Sequence, residues 1–264
     1  MDLITVRETR VARTRDDVSF APGEQPLGGG TWLFSEEQPG LTGLVDLTAL
    51  GWQPVVETDA GLSIAATCTI AELARIPARD GWLAHPLFDQ TANSLLASFK
   101  IWNVATVGGN IATSLPAGPM ISLASALDGV AVIYTADGGE RRLPVSEFVT
   151  ASRVNDLAHG EVLRSIEFPR ATLAARHGFR RISLSPLGRT GTLVTAVVGA
   201  EAVFTVTGGT TRPHVLRFDE LPSRAALLGA LNGIDDWYDD AHGSPDWREA
   251  MSRRFALELL DELS

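Results

Sequence analysis

The sequence has few of the residues from which covalent, metal and nucleic-acid sites are built. Its 264 residues include one cysteine, Cys68, and one lysine, Lys100. A lone cysteine excludes an intrachain disulfide and any cysteine-ligated zinc or iron–sulfur centre held by this chain alone. The formal net charge of −10 argues against a nucleic-acid partner, because phosphate binding requires clustered Lys and Arg.

Long apolar runs and metal-binding spacings are also missing. No stretch approaches the roughly 20 apolar residues of a membrane helix, and residues 1–7, M-D-L-I-T-V-R, lack the apolar core of a signal peptide. We therefore expect a cytoplasmic protein. The histidines do not follow a metal-binding pattern and are interpreted as structural, so no metal site and no catalytic acid–base group are predicted. They are His85, His159, His177, His214 and His242.

Glycine, by contrast, is concentrated in two informative segments. Residues 27–31 read L-G-G-G-T, and residues 101–111 read I-W-N-V-A-T-V-G-G-N-I, a β-branched run that should end in a turn. Such glycines can leave backbone N–H groups uncovered and curl them around an anion. Neither segment fits a P-loop or a G-x-G-x-x-G motif, and each alone could be a tight structural turn. As a pair they are compatible with two loops that grip a diphosphate.

Hydrophobic patterning predicts strands and helices in the part of the chain before Pro169, where we place a boundary. Expected strands cover 2–11, 25–27, 43–47, 130–134, 141–145 and 161–168, and a hairpin turns at 59–61. The first three strands suggest a small β/α unit. Expected helices are one capped by Thr69 and Glu72, one over 86–100 and one over 120–127.

The residues after Pro169 predict a sheet followed by helices. Three antiparallel strands are expected over 178–185, 193–206 and 214–218. One helix should cover 223–231, and another should begin at Ser244 and Pro245, with an apolar stripe that predicts core packing. The acidic residues within 235–240 predict a solvated loop rather than a metal site.

The two glycine segments resemble those of a known family, the FAD-binding medium subunit or domain of molybdenum hydroxylases such as xanthine dehydrogenase and carbon monoxide dehydrogenase. Residues 28–33, G-G-G-T-W-L, are similar to the family's A-G-G-T-x-L, and residues 101–111 to its I-R-N-x-A-T-x-G-G-N-I. Residues 160–169 resemble its G-E-x-L-x-x-I-x-x-P, and further matches extend the resemblance over essentially the whole chain.

The resemblance implies an α+β protein with the PCMH-type FAD-binding fold. Residues 1–169 would form the FAD-binding domain, with α/β subdomains of about 1–52 and 53–169. Residues 170–264 would form a C-terminal domain with a three-stranded antiparallel sheet and helices. The implied function is that of an oxidoreductase subunit, in which FAD passes electrons from iron–sulfur centres of a partner to NAD or another acceptor. The partners would be an iron–sulfur small subunit and a molybdopterin large subunit on separate chains.

The resemblance also implies the cofactor site. Both glycine segments would wrap the diphosphate and ribityl of FAD, and Leu96, Ile101 and Leu163 would make apolar contacts to the flavin. The remaining implied binding residues are Gly28, Gly29, Gly30, Thr31, Trp32, Thr106, Val107, Gly108, Gly109 and Asn110. Non-covalent binding is expected, because no histidine lies nearer to the first segment than His85.

Three positions depart from the family pattern, and each departure removes a polar contact. Trp32 and Pro119 stand where the family has or often has an acid, and Trp102 replaces its Arg. Two alternatives stay open, and the three departures favour the second of them. One is a free-standing flavin oxidase of the related vanillyl-alcohol-oxidase superfamily, and the other is a scaffold that kept the fold and lost FAD.

Overall fold

Residues 3–264 are described by the computed structural model, and their strands form three main sheets in succession along the chain. Met1 and Asp2, where the first predicted strand begins, lie outside the described residues. The first sheet has parallel strands in the order β1-β3-β2. These strands are β1 Glu8–Val11, β2 Glu24–Leu27 and β3 Gly43–Asp46. The helices of this unit, Arg15–Asp17 and Thr48–Leu50, are short 3₁₀ turns.

The middle of the chain forms a five-stranded antiparallel sheet and a small hairpin. Its strands are β4 Val55–Thr58, β5 Gly61–Ala65, β6 Val130–Tyr134, β7 Glu140–Pro144, β8 Val149–Ala151, β9 Val154–Asn155 and β10 Val162–Pro169. The large sheet has the order β4-β5-β10-β6-β7, and β8 pairs with β9. The hairpin predicted around residues 59–61 is confirmed, because β4 and β5 pair across it.

Seven helices accompany these strands among the described residues. They are α1 Ile70–Leu73, α2 Pro86–Ala92, α3 Phe99–Trp102, α4 Val107–Thr113, α5 Pro119–Ala126, α6 Val145–Phe148 and α7 Arg170–Leu173. The predicted capping box of α1 is present, since the Thr69 hydroxyl accepts from Glu72 N at 3.1 Å and the Glu72 carboxylate accepts from Thr69 N at 2.8 Å.

Two predictions for residues 86–111 are wrong. The single helix over 86–100 is divided into α2 and α3, because the side chains of Asn93 and Ser94 bond to the carbonyl oxygens of Asp89 and Gln90 and compete with helix continuation. The β-branched run that was expected to end in a turn instead begins in α3, crosses the short link over 103–106 and ends in α4. Gly108 and Gly109 are thus in the first turn of a helix.

The C-terminal sheet has four antiparallel strands, not the three that were predicted. They are β11 Arg176–Ile182, β12 Thr192–Val198, β13 Ala202–Thr207 and β14 His214–Phe218, in that order. The predicted strand over 193–206 is two strands, since the chain turns where Gly199 N donates to the Glu201 carbonyl at 2.9 Å. The helices α8 Arg224–Leu231 and α9 Pro245–Leu263 follow the sheet as expected.

Two large cores and a small cluster under the N-terminal sheet, formed by Ala12, Val45, Leu47 and Val162, stabilise these layers. In the middle region, Ile64 and Ile166 of the sheet pack with helical residues such as Phe88 and Ile111. In the C-terminal region, Phe204 of the sheet packs with the last helix, where the predicted stripe is buried at Phe255 and Leu259. Across residues 3–264 no helix has the length and apolar character that a bilayer crossing requires.

The acidic residues within 235–240 were predicted to form a solvated loop, but two of them make hydrogen bonds and ion pairs within the protein. Asp236 accepts a hydrogen bond from Thr211 and pairs with His214 at 2.5 Å, and Asp240 pairs with Arg248 at 2.5 Å. Arg248 is 1% exposed, and its guanidinium also donates to carbonyl oxygens of the neighbouring loops. These carboxylates therefore fasten the loop before α9 to the C-terminal sheet, and His214 has the structural role expected for it.

Candidate functional site

The first glycine segment begins where β2 leaves its sheet. Leu47 N donates to the Leu27 carbonyl at 2.9 Å, and Gly30 then adopts a positive φ of 68°, a conformation that favours glycine. Within residues 3–264, the five successive amides of residues 28–32 donate to no protein acceptor. Uncovered consecutive N–H groups of this kind form a concave binding site for anions. The predicted supply of N–H donors is thus present in the first segment.

This segment lies directly against the chain that leads to the second one. A Cβ atom on Gly29 would be 1.7 Å from the Val104 carbonyl oxygen, and a Cβ on Gly28 would be 2.9 Å from the Thr106 hydroxyl. Trp32 lies 5.7 Å from the guanidinium of Arg153, which also pairs with Glu36 at 3.3 Å. The structure therefore brings the two predicted segments together, although the first follows a strand of the N-terminal sheet and the second lies in the helical part of the middle region.

The second segment has a different chemistry from the one predicted. Thr106 caps α4, and its hydroxyl accepts from Gly109 N at 3.0 Å. The amides of Val107 and Gly108 donate to Cys68 and Ala66 carbonyl oxygens at 2.8 and 2.9 Å, and Asn110 N donates to the Thr106 carbonyl at 3.0 Å. The prediction of uncovered amides here is wrong, because the helix cap and a neighbouring loop use all four.

The second segment instead presents a backbone surface without side chains. Gly108 must be glycine for packing, since a Cβ would lie 2.4 Å from the Ala66 Cβ. Gly109 is exposed, and a Cβ there would meet only the Thr106 hydroxyl, at 2.7 Å. A ligand held by the first segment can therefore approach the helix closely at Gly109.

The departures from the family pattern have structural explanations. Pro119 occupies the first position of α5, which suits its fixed φ, and the Asn110 side chain accepts from Met120 N at 3.0 Å on the same helix. Trp102 is half-buried against the main core, and its indole N–H has no hydrogen-bond partner among the described residues. Both positions thus support packing rather than polar contact with a ligand.

The three predicted apolar contacts are not all at one surface. Leu96 is 59% exposed and Ile101 is 38% exposed, and both lie on the segment that leads from α2 to α4. Leu163 is 3% exposed in the main core, where β10 pairs it with Ile133. The role of Leu163 as a flavin contact stays a prediction.

The titratable groups near the glycine segments do not suggest acid–base chemistry. Cys68 is buried as expected, and burial raises the pKa of its thiol to about 12. Among residues 3–264, no group of three or more His, Cys, Asp or Glu side chains could hold a metal ion. The site can bind an anionic group next to an exposed apolar surface. Sequence reasoning missed Val104, because only the folded chain shows that its carbonyl supports Gly29.

Comparison with known proteins agrees with this geometry. Residues 9–171 match the family described as the FAD binding domain in molybdopterin dehydrogenase. The chain belongs to this family. The resemblance drawn from the two glycine segments is confirmed, and FAD is the cofactor of the family's domain. No curated protein matches the chain in a sequence search.

Solved structures share the fold over nearly the whole chain. Quinoline 2-oxidoreductase from Pseudomonas putida 86 is similar with a TM-score of 0.80 and 19% identity, over 99% of this chain and 99% of that one. Carbon monoxide dehydrogenase from Hydrogenophaga pseudoflava gives 0.81 and 18%, over 97% and 96%. The enzyme from Oligotropha carboxidovorans gives 0.80 and 19%, over 96% of each chain. The α+β fold of these structures is thus established for residues on both sides of Pro169.

Proposed function

We propose that this chain is the FAD-binding electron-transfer subunit of a molybdenum hydroxylase-type dehydrogenase. The observation that carries the proposal is the row of five uncovered amides at residues 28–32, next to the exposed side chains of Leu96 and Ile101. FAD has the matching parts, a dianionic diphosphate and an apolar ring system. The family match over residues 9–171 supports the same cofactor.

The residues of the site fit FAD with a clear division of roles. The amides of residues 28–32 would donate to the diphosphate oxygens, and the bare backbone at Gly109 would allow close approach from the other side. Leu96 and Ile101 would cover part of the isoalloxazine and exclude water from it. Bound FAD would supply the redox chemistry, since the chain has no acid–base constellation of its own. We propose that binding is non-covalent, because no histidine side chain belongs to the glycine segments.

Electrons must then reach FAD from another chain. One buried cysteine cannot ligate an iron–sulfur cluster. We propose an iron–sulfur small subunit as the donor, a molybdopterin large subunit as the site of substrate oxidation, and NAD or another acceptor as the final oxidant. The similar carbon monoxide dehydrogenase from Hydrogenophaga pseudoflava was solved in a form that lacks the Mo-pyranopterin moiety of its molybdenum cofactor. The link of that enzyme to a molybdenum cofactor supports a molybdopterin partner by analogy. A cytoplasmic location would suit such a complex.

We also propose the domain division at Pro169, with residues 1–169 binding FAD through subdomains of about 1–52 and 53–169, and residues 170–264 as a second domain. The change of sheet supports it, because β10 ends at Pro169 in the middle sheet and β11 begins at Arg176 in the C-terminal sheet. The short helix α7 connects the two.

The second candidate is a scaffold that kept the fold and lost FAD, and one specific observation favours it. The amides of residues 107–110 are all used within the protein, so only one of the two glycine segments offers backbone donors. In that case the purified chain would be colourless and would not bind added FAD. A free-standing oxidase would instead turn over a small organic substrate without any partner.

The test compares two glycine replacements at similar backbone conformations. Gly30 has φ of 68° within the amide row, and Gly51 has φ of 65° with nothing within 4 Å of an added Cβ. Both Gly30→Ala and Gly51→Ala should strain the backbone similarly, and Gly30→Ala must in addition displace the ring of Phe34. Only Gly30→Ala should lower FAD affinity, by about ten-fold or more. Calorimetric titration of apoprotein with FAD measures this.

The spectrum of the purified protein and its behaviour on denaturation complete the test. Flavin absorbance that is released by acid supports non-covalent FAD, and flavin retained on the denatured chain contradicts it. Reduction of the flavin only in the presence of a reduced iron–sulfur chain supports the subunit function. Turnover by the isolated chain at about 1–1000 per second would favour the oxidase instead.

A further inference from the structure

The acidic residues of this protein are distributed very unevenly. The chain contains 32 Asp and Glu residues, yet none occurs in residues 90–127 or in residues 168–200. These two segments carry the only lysine and five arginines. Each segment is therefore basic in a protein whose formal net charge is −10.

The two acid-free segments also contain most of the exposed large apolar side chains among the described residues. Leu187 is 84% exposed and Phe99 is 72% exposed, values that leave nearly the whole side chain in water. The complete set in these segments is Leu96, Phe99, Ile101, Val104, Leu184 and Leu187. Clustered exposure of this kind is typical of an interaction surface, whereas single exposed apolar residues are normal.

The two segments meet in the folded chain. The Thr190 hydroxyl donates to the Ser94 carbonyl at 3.5 Å and accepts from Arg181 Nε at 2.7 Å. Arg189 and Thr190 also line a shallow pocket together with residues 115–117. The loop that carries Leu184 and Leu187 is therefore adjacent to the segment that carries Leu96 and Phe99. We call the exposed apolar and basic residues of these two segments the basic apolar face.

Three of the six cations of this face are available for an external partner. Among its six Lys and Arg residues, only Arg180 pairs with carboxylates of the described chain, those of Glu258 and Glu262. Arg170 donates to the carbonyl oxygens of Thr58 and Asp59, and Arg181 donates to the Thr190 hydroxyl and the Gly188 carbonyl, so both are held by the protein itself. Lys100, Arg176 and Arg189 have no carboxylate partner within residues 3–264. Unpaired cations around an apolar centre attract an acidic surface and orient its approach.

We propose that the basic apolar face is the docking surface for the iron–sulfur chain, and that this chain presents an acidic rim around an apolar patch. The proposal rests on the proposed function, which supplies the partner. The positive charge of the face favours an acidic partner. The apolar surface is also larger than a flavin on Leu96 and Ile101 would cover, because it extends to the highly exposed side chains of Phe99 and Leu187. The face begins at the segment that leads into α4, so a partner docked there would lie close to the flavin.

The test uses the iron–sulfur chain that co-purifies with the wild-type protein and measures its dissociation constant at low and high salt. Leu187→Ser and Lys100→Glu should each weaken binding by about ten-fold or more at low salt. The Lys100→Glu variant should also lose part of the salt dependence. Matched controls lie on the N-terminal segment, where Ile4→Ser removes a 90% exposed side chain and Arg7→Glu reverses an exposed charge that has no carboxylate partner among residues 3–264. Neither control should change binding.

The FAD content of the variants distinguishes this proposal from the alternative that the face binds only the cofactor. The two test variants should retain wild-type flavin content. Variants that lose FAD but bind the iron–sulfur chain normally would assign the face to the cofactor and overturn the proposal. Equal partner binding by wild type and variants would overturn the proposal and leave the proposed function intact. A wild-type protein that binds no iron–sulfur chain would overturn both.

Discussion

Gly29 rests on the backbone of Val104, so closely that a Cβ atom at residue 29 would be 1.7 Å from the Val104 carbonyl oxygen. This contact joins the parallel N-terminal sheet to the segment between α3 and α4. The distance between the two glycine segments therefore depends on a contact that only glycine permits.

Gly29→Ala should separate the two segments and lower both stability and FAD affinity. The added methyl group cannot be accommodated by a side-chain movement, because the atom that it meets belongs to the backbone. We expect a loss of more than about 1 kcal/mol in the free energy of unfolding, measured by urea titration of apoprotein. Gly229→Ala is the control, since Gly229 lies in α8 with nothing within 4 Å of an added Cβ. That variant should gain about 0.5–1 kcal/mol. A stable Gly29→Ala protein with normal FAD affinity would contradict the contact.

Gly108→Ala and Gly109→Ala should have different effects although the residues are neighbours. At Gly108 the new methyl group meets Ala66 of the core, so apoprotein stability should fall. At Gly109 the methyl group meets only the Thr106 cap and otherwise points away from the protein. Disturbing the cap costs about 1 kcal/mol, and the larger effect should be on FAD affinity. Urea unfolding midpoints of apoprotein measure the effect on stability, and FAD titrations measure the effect on affinity. Equal FAD affinity of Gly109→Ala and wild type would show that α4 is not part of the FAD site.

Arg248→Met should be among the most destabilising single changes in the C-terminal region of the chain. The substitution removes the guanidinium donor from the carbonyl oxygens of Gly208 and Gly243 and from Asp240, which keeps only the hydrogen bond from His242 N. Breaking such a buried pair costs about 3–5 kcal/mol. Arg254→Met removes an exposed pair with Glu258, at 2.8 Å, and should cost less than about 1 kcal/mol. Urea unfolding of the two variants at neutral pH compares these values directly.

Asp236 should contribute to stability at neutral pH and lose that contribution in acid. Burial would raise the pKa of its carboxyl, but hydrogen bonds from Thr211 and His214 and the charge of His214 lower it below the ordinary value of 3.8. A carboxyl with a lowered pKa in the folded state stabilises the protein above 3.8 and loses this effect as the pH falls through its folded pKa. Asp236→Asn should therefore be less stable than wild type at pH 7, and the difference should shrink below about pH 4. A difference that stays constant with pH would contradict this.

Local sequence signals were sufficient for much of the fold. The capping box at Thr69 and Glu72, the β4–β5 hairpin and the proline start of α9 depend on neighbouring residues, and all three are present in the structure. Expectations failed where two local signals competed. The apolar run over 193–206 predicted one strand, although the chain turns at Gly199. The apolar pattern over 86–100 predicted one helix, although α2 ends before Asn93.

The sequence by itself determined the family and the two glycine segments, because glycine patterns record backbone requirements directly. The sequence also showed that this chain, with one cysteine, cannot ligate an iron–sulfur cluster. Only the tertiary structure decided which amides are available. The amides of residues 28–32 are uncovered because their strand ends there, whereas those of residues 107–110 are used by the Thr106 cap and by carbonyl oxygens of Ala66 and Cys68, residues distant in sequence. The basic apolar face has the same origin, since residues 90–127 and 168–200 become one surface only when the chain folds and Ser94 meets Thr190.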